Sequence, residues 1–192
     1  MMEKYLLDTN AFFELLSFLV GKSVRKDEYD FETIRKGECY ISKISELEII
    51  SVVGKYSRGE PSQWQTCKRT IDEEGNICGN KYYNHGKRPW NKKLSRALLK
   101  LVKEVINGES PVFTVKVLDV NERVLERAET FMMYSSRYKF GSQDALIAAT
   151  AIINSDVYNQ EMILVTSDRS LRAAMKEDGI KYIVPGVNTL VN

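Results

Sequence analysis

A chain of 192 residues and 22.0 kDa, 43% hydrophobic and 28% charged, is long enough to bury one sizeable core and too short for several ordinary domains. Its 10% aromatic content excludes a collagen-like or wholly disordered chain, and a formal charge of +2 excludes recognition of nucleic acid by bulk electrostatics, so any basic surface must be local. Three cysteines, Cys39, Cys67 and Cys78, are an odd count and too sparse for a secreted disulfide framework, which favours a reducing cytoplasm.

Residues Lys4 to Leu7 form a short β-type run ending at Asp8-Thr9-Asn10, after which Ala11, Phe12, Leu15, Leu16 and Leu19 recur at helical spacing. The apolar stretch Ala11 to Val20 is interrupted by Glu14 and Ser17, so it is neither a membrane span nor a signal peptide. A charged stretch from Gly21 to Lys36 leads to a second strand around Glu38 to Ser42. Ile44, Leu47 and Ile50 then read as a helix with Ser45 as its N-cap.

From Arg58 to Trp90 the periodicity fails. Gly59, Pro61, Gly75, Asn76, Gly79, Asn80, Asn84, Gly86 and Pro89 crowd this stretch, which reads as an irregular insertion at 58–90 within a single domain over 1–192. Helical order resumes after Asn91, a cap, with Leu94, Leu98, Leu101 and Val105 on one face, and stops at Gly108. A β-rich run from Val112 to Leu118 precedes a helix from Glu122 to about Tyr138, and Gly141-Ser142 opens an alanine-rich helix. Met162 to Val165 is a strand followed by Thr166-Ser167-Asp168, a helix around Leu171 to Met175 and a last strand at Lys181 to Val184. Strands alternating with helices predict an α/β fold with a mainly parallel central sheet.

In open parallel sheets, ligands bind beyond the carboxyl ends of the strands, which singles out Asp8 and Asp168 on topology alone. Glu48 and Asp144, in predicted first turns of helices, can face the same edge. Carboxylates from several segments suit a hard divalent cation, Mg²⁺ or Mn²⁺, and phosphate-ester hydrolysis. Each first-turn acid has a competing local explanation in the helix dipole, and Ser45-x-x-Glu48 is also a formal capping box. Asp8, flanked by Thr9 and Asn10, is poorly explained by capping alone. No G-x-S-x-G, P-loop or G-x-G-x-x-G sequence is present, so serine hydrolases, NTPases and dinucleotide enzymes recede.

Leu6-Leu7-Asp8-Thr9-Asn10, the block Ile41 to Ile49, Asp144-Ala-Leu-Ile-Ala-Ala-Thr-Ala151 and Leu164-Val-Thr-Ser-Asp168 together resemble PIN domains, in order and spacing, over nearly the whole chain outside the insertion. The resemblance implies a three-layer α/β/α sandwich and a metal-dependent ribonuclease. Asp8, Glu48, Asp144 and Asp168 are the implied catalytic and metal-holding acids, with Asn10 and Thr166 in support. Within the second block it selects Glu48 over Glu46; residues two apart on a helix point to different faces, so only one serves. It further implies 5′-phosphate and 3′-hydroxyl products, a homodimer, and a place among VapC toxins. A cognate antitoxin would insert Arg or Lys into the acidic pocket.

The insertion is longer than minimal PIN toxins usually carry, which makes it a candidate for substrate choice or a dedicated partner. Cys67, Cys78 and His85 lack the paired two-residue spacing of zinc sites, and a fourth zinc ligand would have to be Cys39; a Cys67 to Cys78 disulfide is the alternative. Between Lys87 and Lys103 stand seven basic residues and no acid. Arg88, Lys92, Lys93, Arg96 and Lys100, with Trp90 to stack on an unpaired base, are the candidate RNA contacts, weighed against a solvated basic face. Rival readings are a PIN-like module that binds RNA or protein without turnover, and structure-specific DNA cleavage. An aspartyl-phosphate phosphatase would need an Asp where Asn10 stands.

Overall fold

The computed structural model describes residues 2–19, 29–67, 78–184 and 190–191. Val20, the first part of the charged stretch at 21–28, and Gly75 and Asn76 of the insertion lie outside them. By its contacts the chain divides into two compact units, Met1–Ile49 with Leu101–Asn192, and Ile50–Lys100.

In the first unit the strands are β1 (Lys4–Leu7), β2 (Glu38–Ser42), β5 (Lys116–Leu118), β6 (Met162–Val165), β7 (Tyr182–Ile183) and β8 (Leu190–Val191). They form one sheet in the order β5-β2-β1-β6-β7-β8. All neighbours are parallel except β8, which runs antiparallel to β7. The central strands are short, apolar and buried on both faces, as β1 (buried from Tyr5 to Leu7) and β6 (buried throughout) show. Register pairs Leu6 with Tyr40 and with Leu164, which places these side chains on one face. That face joins a core with Leu118 of β5 and with Val124, Phe131, Ala145, Ala148, Ala149 and Leu171, drawn from α5 (Glu122–Met132), α6 (Ser142–Tyr158) and α7 (Arg169–Glu177). The alanines of α6 let it approach the sheet closely.

Alternate residues serve the opposite face. Cys39 turns away from Tyr40's side and its thiol donates to the Ile34 carbonyl at 3.3 Å, in α2 (Tyr29–Lys36). Phe31 of α2 stacks on Phe18 of α1 (Thr9–Leu19) at 5.1 Å between ring centres, and Phe12 of α1 meets Phe113 at 5.8 Å. Helices therefore cover both faces, giving the expected α/β/α layering with a mainly parallel sheet.

Several boundaries differ from expectation. Helix α2 occupies the end of a stretch that shows only charge, because its apolar side is reduced to Phe31 and Ile34, one turn apart. Helix α3 (Lys43–Arg58) begins three residues earlier than its predicted cap implied, and its cap is Ser42 rather than Ser45, the Ser42 Oγ accepting from the Ser45 amide at 3.1 Å. The helix predicted to run to Tyr138 ends at Met132, followed by a 3-10 turn over Met133–Ser136.

In the second unit, β3 (Gln63–Thr66) and β4 (Lys81–Asn84) form an antiparallel ribbon in the stretch read as irregular. Both faces of this ribbon are largely exposed, so no alternation of apolar and polar residues marks it in the sequence. Its open end is tied by Glu60 and Lys87, whose backbones exchange hydrogen bonds of 2.8 and 3.0 Å. Gly59 and Gly86 flank that bridge at φ of +72° and +65°, where a Cβ would meet the carbonyl oxygens of Lys87 at 2.5 Å and Glu60 at 2.3 Å. Helix α4 (Lys92–Ile106) follows, capped by Asn91, whose Oδ1 accepts from the Lys93 amide at 2.8 Å.

Candidate active site

The chain adds β2 and then β5 to one side of β1, and β6 and β7 to the other, so the strand order reverses between β1 and β6. At such a switch point the following connections leave in opposite directions and open a crevice at the carboxyl ends of the strands. Asp8 follows β1 directly, and Thr166 and Asp168 follow β6.

Asp8 is buried, and its backbone continues the sheet by donating to Val165 at 3.1 Å. Its Oδ1 accepts from the Ala11 amide at 2.6 Å, so Asp8 caps α1 in addition to facing the crevice. Burial pushes this carboxyl up from 3.8 to about 6. The hydrogen bonds from Ala11 and from Thr166 oppose the rise, while the charges of Glu14 and Asp144 add to it.

Asp144 stands in the first turn of α6, where its Oδ2 accepts from the Gly141 amide at 2.9 Å. Its carboxyl is also raised, by burial first, against the Gly141 hydrogen bond, and then by the negative charges of Asp168 and Glu48. Asp144 thus senses Asp168 and Glu48, and its own charge acts on Asp8. Asp168 caps α7, accepting from the Leu171 amide at 2.7 Å, and its own amide donates to Thr166 Oγ1 at 3.1 Å.

Glu48 is the sixth residue of α3 and lies outside its first turn, so the capping-box explanation for it falls away. Its carboxylate accepts instead from the Thr9 hydroxyl at 2.5 Å, across from α1. Glu46 pairs with Lys43 at 2.6 Å. Asn10 is exposed in the first turn of α1, the helix that Asp8 caps. Two residues of this rim were not singled out from the sequence. Thr9 is the partner of Glu48, and Glu14 adds negative charge to Asp8; the signal for Glu14 was an acid interrupting an otherwise apolar helical stretch.

This chain is matched by the family model described as PIN domain over residues 5–177. It belongs to the PIN domain family. Members of this family are nucleases, and PIN domains generally use divalent metals. No curated protein sequence matches the chain. Among solved structures, FitAcB from Neisseria gonorrhoeae is similar over 94% of this chain and 95% of its own at 16% identity, with a TM-score of 0.50. VapBC2 from Rickettsia felis, bound to a DNA fragment from their promoter, is similar over 94% and 97% at 15% identity, with a TM-score of 0.51.

The PIN rim presents oxygen donors only, the set that suits a hard divalent cation. Burial first, and then neighbouring acids, raise the proton affinity of Asp8 and Asp144, and a cation relieves that repulsion. The chemistry of the donors therefore fits a metal. Their present side-chain positions do not yet form a cage: among the described residues no three His, Cys, Asp or Glu side chains are arranged to hold one ion. Asp8, Asp144 and Asp168 are instead each held by a nearby backbone amide, and Glu48 by the Thr9 hydroxyl of α1.

The cysteines stand as free thiols. Burial pushes the Cys39 thiol up to about 12, which makes it a poor metal ligand. In the basic run, Arg88, Lys92, Lys93, Arg96 and Lys100 are exposed, whereas Trp90 stacks on Tyr56 at 4.9 Å with the rings 12° from parallel. Lys87 lies over the Tyr56 ring at 5.1 Å. No helix among the described residues is long and apolar enough to cross a membrane.

Proposed function

We propose that this PIN domain is a divalent-metal-dependent endoribonuclease acting as the toxin of a toxin-antitoxin pair in the cytoplasm. Its site is the rim formed by Asp8, Glu48, Asp144 and Asp168, with Mg²⁺ or Mn²⁺ as the cofactor. The observation that supports this best is the placement of acids from four chain segments around the switch point of the sheet, where the charges of Asp168 and Glu48 reach Asp144 and that of Asp144 reaches Asp8.

The residues act before substrate arrives. Ala11 and Thr166 orient Asp8, Gly141 orients Asp144, Thr9 orients Glu48 and Leu171 orients Asp168, so little is left to organise when a ligand enters. When bound there, a hard divalent cation supplies Lewis-acid stabilisation of the phosphodiester and an activated water for in-line attack, leaving 5′-phosphate and 3′-hydroxyl ends. The exposed Arg88, Lys92, Lys93, Arg96 and Lys100 provide phosphate contacts that position the strand. The chain reads as one PIN domain over 1–192, in which the ribbon-bearing stretch is an insertion.

An antitoxin-like protein is the partner of this reading, supported by the likeness to FitAcB and VapBC2, and a second copy of the chain is the further partner that the PIN resemblance implies. Basic side chains of the antitoxin occupy the acidic rim and compete with metal.

The test is cleavage of a mixed RNA pool and of duplex DNA in Mg²⁺, Mn²⁺ or EDTA, with wild type beside Asp144→Asn. The expected result is RNA cutting that needs metal and is lost in the variant. Cutting at the wild-type rate by Asp144→Asn refutes the site, cutting of DNA alone refutes the substrate, and RNA binding without any cutting turns the domain into a binding module.

A further inference from the structure

The chain's charge is unevenly divided. Residues 50–100 hold eleven Lys and Arg against four Asp and Glu, whereas the remainder holds seventeen against twenty-two. The near-neutral total conceals one basic unit.

That unit also carries the most exposed tryptophan of the described residues. On the β3–β4 ribbon Trp64 lies directly opposite Tyr83, and directly opposite residues share a face. Their rings meet edge to face at 5.4 Å, and Tyr83 meets His85 at 5.1 Å in the same manner. The pairing holds the rings upright without covering them: Trp64 remains 69% exposed and Tyr83 44%. The opposite pair, Thr66 and Lys81, falls on this same face by strand alternation. The other face carries Gln65 and Tyr82, joined by a hydrogen bond from the Tyr82 hydroxyl to Gln65 Oε1 at 2.8 Å. One side of the ribbon is therefore an aromatic strip of several rings with a lysine beside it, whereas the other carries a single ring, Tyr82, 49% exposed and tethered by its hydroxyl to Gln65.

We propose that the Trp64–Tyr83–His85 face of the ribbon is a base-stacking site for single-stranded RNA, an inference that rests on the ribonuclease reading and adds the form of the substrate. Unpaired bases offer flat apolar faces to the rings, and the phosphates linking them meet the surplus positive charge of the same unit. A duplex buries its base faces and fits this strip poorly. The assignment moves the stacking role away from Trp90, whose ring is engaged with Tyr56.

The test is binding of a fluorescein-labelled oligouridine to the full chain in EDTA, followed by anisotropy across a salt series. Trp64→Ala is expected to weaken binding about tenfold at every salt concentration while leaving the salt slope unchanged, because a stacking contact releases no counterions. Trp64→Phe restores most of the affinity. Tyr82→Ala, on the opposite face, binds as the parent does. Lys87→Gln flattens the salt slope by about one unit. The proposal is overturned if Trp64→Ala binds as tightly as the parent, if Tyr82→Ala loses as much as Trp64→Ala, if the parent prefers duplex RNA, or if it does not bind the oligonucleotide. Failure here with metal-dependent RNA cutting intact removes the stacking site and leaves the ribonuclease. Loss of cutting with Trp64-dependent binding intact does the reverse.

Discussion

The two ends of β1 treat acidic residues in opposite ways. At its amino-terminal end Glu38, the first residue of β2, accepts from Lys4, from the Tyr40 hydroxyl at 2.6 Å and from Lys116 at 3.3 Å. These partners, Lys4 foremost, hold its carboxyl down from 4.5 to about 2. At the carboxyl-terminal end Asp8 is pushed up to about 6 by burial, and its charged neighbours Glu14 and Asp144 add to the rise. One rim supplies its acids with cations from the chain itself. The other concentrates acids whose repulsion an ion from solution can relieve, which is how a structural charge cluster differs physically from a metal-ready one.

The sharpest way to break this contrast is at the hub. Asp144→Asn is expected to lower metal-dependent RNA cleavage by at least about a hundredfold, since removing a group that helps hold a Lewis acid forfeits several kcal/mol of transition-state stabilisation. Single-turnover rates at saturating RNA measure it.

Stability should move the other way at Asp8. A raised carboxyl contributes to folding below its unfolded value near 3.8 and loses that contribution as pH rises through about 6, so the ionised form burdens the metal-free fold at neutral pH. Asp8→Asn, which keeps an oxygen to accept from Ala11, is expected to gain about 2 kcal/mol at pH 8 in EDTA and almost nothing near pH 4. Urea denaturation at the two pH values reads the difference.

A smaller effect sharpens the assignment of Glu48. Thr9→Val removes the hydroxyl that holds this carboxylate and should cost about tenfold in kcat with KM little changed, as expected for a group that orients a metal-holding side chain. Glu46→Gln, which breaks only the exposed pair with Lys43, should leave cleavage unaltered.

The smallest effect belongs to the amino-terminal rim. Glu38→Gln is expected to cost about 1 kcal/mol at pH 7, after discounting for solvent screening, with cleavage unaffected. Its depressed carboxyl stabilises above about 4.5 and loses that effect as pH falls through about 2, so the penalty should shrink steadily in acid.

Most of the candidate rim was legible because its signals are local. Asp8 and Asp168 follow apolar strands, and Asp144 heads a helix rich in alanine. The parallel sheet followed from alternation of strands and helices, and β2 has the predicted bounds. What escaped depends on partners distant in sequence. The Thr9 to Glu48 contact spans 39 positions, and Trp90 lost its availability to Tyr56, 34 residues earlier, which no spacing rule reports. Capping accounts for more of Asp8 than expected, because α1 starts at once at Thr9 and the strand-end acid becomes its N-cap. The ribbon was missed because an exposed two-stranded element has no buried face to impose a period.

The contrast between the rims is tested most directly by Mn²⁺ binding, measured calorimetrically on wild type, Asp8→Asn and Glu38→Gln at pH 7.5. Wild type and Glu38→Gln are expected to bind the ion with equal affinity, and Asp8→Asn at least about tenfold more weakly. Equal binding by Asp8→Asn, or a loss confined to Glu38→Gln, contradicts the placement of the metal at the carboxyl-terminal rim.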